Sequence, residues 1–276
     1  MSQTYFLFLD DAEQLDCPRD GMNRLIAMGG FSIDVHDAAR LSSDLEELCG
    51  LAGLPAGEPF KWSPKKNSWL QRNFTGEQKG NLFESLLQKV AEYNVSAHVM
   101  CCDPKARLLN GAKDAEQSTL LGILERFNFT LGPNDKGIVI VDRPAGDKKA
   151  EERYLGACLA LTEDGGAYAK FDKLACPILT MPFPLSRPLQ VADLVASITT
   201  AHVAGRPQAA RFFPLIKSLF REDKGRIGGV GLKLHPDYRF ANLYHWLLGD
   251  THYVRGSMGF PMPLSDRPYR EGDTQQ

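Results

Sequence analysis

The first uninterrupted run of apolar positions, Tyr5-Phe6-Leu7-Phe8-Leu9, leads directly into two adjacent carboxylates, Asp10 and Asp11. A short run with polar flanks predicts a strand over about residues 4–10, buried on both faces. Leu25-Ile26-Ala27-Met28-Gly29-Gly30-Phe31 predicts a second strand, paired with the first as a hairpin. Its adjacent glycines mark a close backbone approach or a bulge. Leu41, Leu45 and Leu48 share one face of a helix over 36–51. The stretch from Gly53 to Trp69, rich in Pro, Gly, Lys and Trp, forms no regular element. Thr75 and Gln78 make a capping box for a helix whose core face is Leu82, Phe83, Leu86, Leu87 and Val90. Val95 to Met100 alternates as a half-buried strand does. Leu120, Leu121, Leu124 and Phe127 mark the core face of a helix from about Asp114 to Leu131, ended by the Gly132-Pro133-Asn134-Asp135 turn.

Ile138-Val139-Ile140-Val141-Asp142 repeats the opening pattern, an apolar strand running into Asp. A helix over 148–162 and a strand near 174–180 follow. Pro188 then suits the first turn of a helix reading Leu189-Gln190-Val191-Ala192-Asp193-Leu194-Val195-Ala196-Ser197-Ile198-Thr199-Thr200. Around this helix Gln190, Asp193, Ser197 and Thr200 fall at i, i+3, i+7 and i+10 and form one polar stripe. A solvent-facing stripe normally carries Lys, Glu or Arg; this one has none, so Gln190 and Asp193 are expected to point into a site. The plainer alternatives are a solvent stripe, or an Asp193 that complements the helix dipole.

Composition narrows the picture. The 276 residues, 43% hydrophobic and 24% charged, are ordinary for a globular chain, and the formal charge of −2 creates no global attraction to nucleic acid or anionic membrane. No apolar stretch approaches the roughly 20 residues of a membrane span, and Met1-Ser2-Gln3-Thr4 lacks the charged start of a signal peptide. The six cysteines (17, 49, 101, 102, 158 and 176) show no CxxC and no zinc-site spacing, which suits reduced thiols and a cytoplasmic location.

Three carboxylates are therefore placed alike: Asp10 and Asp142 at strand ends and Asp193 at the start of an apolar helix. If the two strands are parallel neighbours, both carboxylates reach one rim of the sheet, where open α/β sheets place their sites. Converging carboxylates repel one another unless a cation neutralises them, and hard oxygen ligands without Cys or His suit Mg²⁺ or Mn²⁺. Such sites perform phosphoryl transfer, two ions about 3.5–4 Å apart clamping the attacking and leaving oxygens. The simpler reading is that Asp10 and Asp11 end the strand and begin a turn.

Strand-Asp (Phe8-Leu9-Asp10-Asp11), strand-Asp (Val139-Ile140-Val141-Asp142) and the helix Leu189-Gln190-Val191-Ala192-Asp193-Leu194, in that order, resemble the DUF3800 family, itself similar to the ribonuclease H-like superfamily. The resemblance spans roughly residues 4–200. The Gln-x-Ala-Asp helix is its most specific part, and Glu58 to Ser63 matches a Glu-preceded Lys-Trp-Ser segment. Asp11-Ala12-Glu13 stands where Glu-Ser-Gly is usual, and Pro59 sets Glu58 one residue too far from Lys61. The fourth acidic ligand is thus Asp11, Glu58 or neither.

The resemblance implies an α/β fold with a ribonuclease H-like mixed sheet flanked by helices on both faces. The domain would occupy 1–205, with an insertion around 53–75. Residues 206–276 would be a helical or irregular extension packed on it, with the last ten or so disordered. It implies a divalent-metal-dependent nuclease in which Asp10, Asp142 and Asp193 hold Mg²⁺ or Mn²⁺ and Asp11 orients the attacking water or binds a second ion. Gln190 would bond a carboxylate or a phosphate, and Lys61 and Arg143 would contact the scissile phosphate. Trp62 and Trp69, interleaved with Lys61, Lys65, Lys66 and Arg72, suit stacking along an RNA or DNA strand, or else anchor the loop in the core. The alternative function is an inactive module of the same fold that binds nucleic acid or a protein partner. Covering a sheet edge, forming a homodimer contact and bounding a substrate groove are all open to the C-terminal region. Other chemistries lack their signatures. There is no GxxxxGK[ST], no GxGxxG in a strand–turn–helix context and no GxSxG, and Ala12 stands where aspartyl phosphatases carry a second Asp. His98, on an apolar strand, reads as a hydrogen-bonded core residue.

Overall fold

The computed structural model describes residues 2–107, 115–166 and 168–271. Eight strands are described: β1 (Thr4–Gln14), β2 (Leu25–Asp34), β3 (Ser96–Cys102), β4 (Lys136–Asp142), β5 (Leu179–Met181), β6 (Leu232–His235), β7 (His252–Arg255) and β8 (Met258–Pro261). The first six build one mixed sheet in the order β5-β4-β1-β2-β3-β6; β7 and β8 form a separate hairpin. Antiparallel pairing links β1 to β2 and β2 to β3, whereas β4 lies parallel to β1, β5 to β4 and β6 to β3. The α-helices of four or more residues are α1 (Val35–Leu51), α2 (Trp69–Asn73), α3 (Gly76–Ala91), α4 (Pro104–Arg107), α5 (Ala115–Thr130), α6 (Lys148–Asp164), α7 (Arg187–Val203), α8 (Pro207–Ala210) and α9 (Phe213–Leu219), with shorter helical turns at 183–185 and 238–248. The chain is thus α/β, a six-stranded mixed sheet flanked by helices on both faces. Among the described residues no helix is long and apolar enough to cross a membrane.

Alternation along β1 splits the core in two. Phe8 and Ala12 join the larger cluster, with Leu41 and Leu45 of α1, Leu82 and Leu86 of α3, Ile216 of α9 and most of α7. Leu7 and Leu9 point the other way, into a smaller cluster with Leu120, Leu124 and Phe127 of α5 and Cys158 of α6. Helix α7 is buried nearly all round, the pattern of a central helix rather than a surface one. It can lie close to the hairpin because Gly30 has no side chain. A Cβ there would fall 1.8 Å from the Phe8 carbonyl oxygen and 3.1 Å from Ala192 Cβ, so the paired glycines do mark a close approach. The Thr75–Gln78 capping box is formed, each side chain accepting the other residue's backbone N–H.

Several expectations need correcting. Asp10 and Asp11 do not end their strand: β1 continues to Gln14, with Asp10 opposite Gly29 and Asp11 opposite Met28. What stops at Leu9 is the parallel pairing with β4, whose partner there is Val141. The strand near 174–180 shrinks to Leu179–Met181 after a bridge at Leu174 to Gly137, because Pro177 between them has no N–H to give a ladder. The segment around 53–75 contains the short helix α2, started by Ser68 Oγ accepting from the Gln71 N–H. The region after 205 is more than an extension, since β6 adds the sixth strand beside β3. Residues 267–269 are docked rather than loose: Asn242 Nδ2 donates to the Arg267 and Pro268 carbonyls, and Trp246 Nε1 donates to that of Tyr269. The rest of the expected disordered tail, 272–276, lies outside the described residues, as does Asp114 at the expected start of α5. His98 is fully buried, 3.4 Å from Thr130 Oγ1, as its strand position predicts.

Candidate active site

Parallel register brings Asp10 and Asp142 to the same rim of the sheet. Leu9 pairs with Val141, so the next residues of the two strands follow in step, and α7 covers the face on which Phe8 and Ile140 lie. Asp10 is 3% exposed and Asp193 1% exposed. Asp10 Oδ1 accepts the Asp11 N–H at 2.9 Å, while Oδ2 is buried with no hydrogen-bond partner. Asp193 is better held: Oδ2 accepts the Trp62 N–H at 2.7 Å, and Ser197 Oγ, one turn on, donates to Oδ1 at 3.4 Å.

Between the two carboxylates sits the Lys61 ammonium, 3.4 Å from Asp193 Oδ1 and 3.8 Å from Asp10 Oδ2, and 4.8 Å above the Phe183 ring. The segment from Phe60 to Trp62 places it there by alternation. Phe60 and Trp62 turn into the core against Phe83, and the residue between them turns to the acids. Two polar side chains one turn apart on α7 hold the backbone of this segment. Gln190 Oε1 accepts the Phe60 N–H at 3.2 Å, as Asp193 accepts that of Trp62. Arg187 completes the clamp, donating to Gln190 Oε1 and the Glu58 carbonyl and pairing with Glu46.

Electrostatics follow from burial. Burial, then the neighbouring Asp193, push the Asp10 carboxyl up to about 8, against the opposing pull of Lys61. Burial also raises Asp193, opposed by Lys61 and the Trp62 N–H. Burial alone would lower Lys61, but the fields of Asp193 and Asp10 outweigh it and leave its affinity for a proton raised. Asp142 is half-buried and raised by desolvation, its Oδ1 accepting the Phe183 N–H at 3.0 Å. Asp10, Asp193 and Lys61 therefore form one contact group, with Asp142 beside it. Among the described residues no three His, Cys, Asp or Glu side chains are placed to hold a metal ion together.

The remaining expected site residues fall elsewhere. Asp11 is exposed and, by strand alternation, faces away from Asp10; it lines a cavity on the α5–α6 face. Gln190 has no exposure, and its groups are engaged by Phe60, Arg187 and the Phe183 carbonyl; it binds backbone rather than carboxylate or phosphate. Trp62 is half-buried, its ring packed edge-on to Phe212 at 5.4 Å and tilted on Phe83 at 6.1 Å, the contacts of a loop anchor. Arg143 is exposed, and its backbone N–H extends the β4–β5 ladder to Met181. Glu58 is held by its backbone, its N–H donating to the Pro55 carbonyl and its own carbonyl accepting from Arg187.

Neither a protein-family model nor a curated protein matches this chain.

The sequence reading missed Arg187 and the Phe183 amide. Arg187 had a signal: a cation in the first turn of a helix opposes the macrodipole and needs an acid nearby, here Glu46. The Phe183 amide, a backbone group, had none.

Proposed function

We propose that the chain is a divalent-cation-dependent phosphodiesterase acting on nucleic acid, with a ribonuclease H-like core. The observation that carries this reading is Asp10 Oδ2, a carboxylate oxygen buried without a hydrogen bond and facing the same cation as Asp193. Burying such an atom is unfavourable unless something positive is to meet it. A mixed sheet with helices on both faces is the architecture the reading calls for.

Asp10 and Asp193 offer the oxygen donors a hard cation takes and would hold Mg²⁺ or Mn²⁺; Asp142 stands beside them and is not placed to share the ion as a third ligand. Bound there, the ion would polarise a phosphoryl oxygen and lower the pKa of a bound water. The protein's own contributions are orientation and charge. Ser197 and the Trp62 N–H fix the Asp193 carboxylate, and the Phe183 N–H fixes Asp142. Lys61, released from the acids, would meet the phosphate and stabilise the charge that develops on it. Asp10 must lose its proton to bind a cation, so binding strengthens as pH rises toward about 8.

Labelled RNA, DNA and hybrid substrates with Mg²⁺ or Mn²⁺ test the reading. Cleavage should stop with EDTA and fall at least about a hundredfold in Asp193→Asn, the scale on which an electrostatic catalytic group acts. Absence of cleavage on every substrate, or cleavage indifferent to EDTA, would refute it. A second reading, an inactive module that binds nucleic acid or protein, is favoured by the Lys61 contacts, since its ammonium already faces both acids where the ion would sit. In that case nucleic acid binds without metal and stays intact.

A further inference from the structure

On the opposite face of the sheet from Asp10 lies a cavity of about 450 Å³, within the roughly 300–1,000 Å³ typical of small-ligand sites. Its origin is α6, a 17-residue helix on which Cys158 alone is fully buried. An amphipathic helix normally buries a stripe against its sheet. Here Tyr154 and Leu161 are only half-buried: they pack against the smaller core cluster and also line open space, together with Ile26 and Met28 of β2 and Leu120 of α5. The walls are thus apolar, and the rim is acidic. Among the described residues, Asp11, Glu13, Glu116 and Asp142 line it with a single cation, Arg24, already paired with Glu13.

An occupant must therefore offer a flat apolar body and an edge of hydrogen-bond donors, because a free anion would be repelled. Asp142 belongs both to this rim and to the surroundings of Asp10, whose carboxyl it helps push up. The cavity thus opens beside the candidate active site. We infer that it receives an unstacked nucleobase bearing an exocyclic amine, its amino edge on Asp11 or Glu116, from the strand whose phosphodiester lies at Asp10 and Asp193. The inference rests on the phosphodiesterase reading for that strand, but base binding itself needs no metal. Enzymes that must reach one nucleotide hold it in this way, between apolar walls with polar groups on its edge.

Calorimetric titration of nucleosides in metal-free buffer separates the two claims. Guanosine and cytidine should bind, with inosine and uridine about tenfold weaker, since they lack the amine that a carboxylate would accept. Ala157→Trp, at an exposed lining position, should abolish binding by filling the cavity. Asp11→Asn should weaken it about fivefold or more when the amine is read there, and Glu116→Gln should do so when it is read by that residue. Mn²⁺ affinity, measured on the same samples, should survive Ala157→Trp. Equal binding of inosine and guanosine, equal binding of spermidine, or no nucleoside binding by a protein that still binds Mn²⁺ would each overturn the inference. Nucleoside binding by a protein that ignores Mn²⁺ would uphold the pocket and refute the phosphodiesterase.

Discussion

Asp10 and Asp11 are neighbours in sequence and opposites in physical state. One is buried under α7 with an unpaired oxygen; the other is exposed on the α5–α6 face. The same contrast separates the two faces of the sheet. The α7 face is closely packed, with Gly30 and Ala192 letting helix and hairpin touch; the other carries a helix with one fully buried residue and a cavity. A carboxylate's chemistry is thus set by the face it points to, and strand alternation decides that face.

The largest effects should come from the closely packed face. Gly30→Ala puts a methyl against the Phe8 carbonyl and should cost on the order of 3–5 kcal/mol or prevent folding, read by urea unfolding. Gln190→Ala strips partners from the Phe60 N–H, from Arg187 and from the Phe183 carbonyl at a fully buried position, and should cost about 2–4 kcal/mol. It should also loosen the segment carrying Lys61, seen as faster amide exchange at Phe60 and Trp62.

Asp10→Asn should have the opposite sign. The folded carboxyl titrates at about 8, above its ordinary 3.8, so the stability it contributes is complete below pH 3.8 and lost as pH rises through 8. Asparagine mimics the protonated form without that loss. The variant should match the parent near pH 3.5 and be more stable at pH 8, by on the order of 2 kcal/mol. At the cavity face effects should be small. Gly156→Ala on α6, where a Cβ meets nothing within 4 Å, should stabilise by about 0.5–1 kcal/mol. Asp11→Asn should stay within about 0.5 kcal/mol of the parent. Equal responses of Asp10→Asn and Asp11→Asn would erase the contrast between the faces.

Much of this was legible in the chain. Runs such as Ile138–Val141 and the stripe on α7 depend on local periodicity, so the strands, the buried helix and the inward Asp193 could be read from spacing. Asp10 and Asp142 could be brought together only on the condition that their strands are parallel neighbours, which β1 and β4 are. What local spacing could not supply was the path of the chain between elements. The alternation at Phe60-Lys61-Trp62 gains its meaning only once α7 offers acceptors one turn apart. Trp62 looked equally suited to a base or to the core until Phe212, 150 residues on in the chain, packed against it. β6 was hidden because a strand of four residues carries too little pattern to announce itself.

Anomalous diffraction from a crystal soaked in Mn²⁺ near pH 8 tests the central claim most directly. A peak bound by Asp10 and Asp193, with the Lys61 ammonium displaced, and no peak in Asp193→Asn, is the predicted result. Lys61 still 3.4 Å from Asp193 with no peak under saturating Mn²⁺ would contradict it, leaving the acids and their lysine as a structural ion pair.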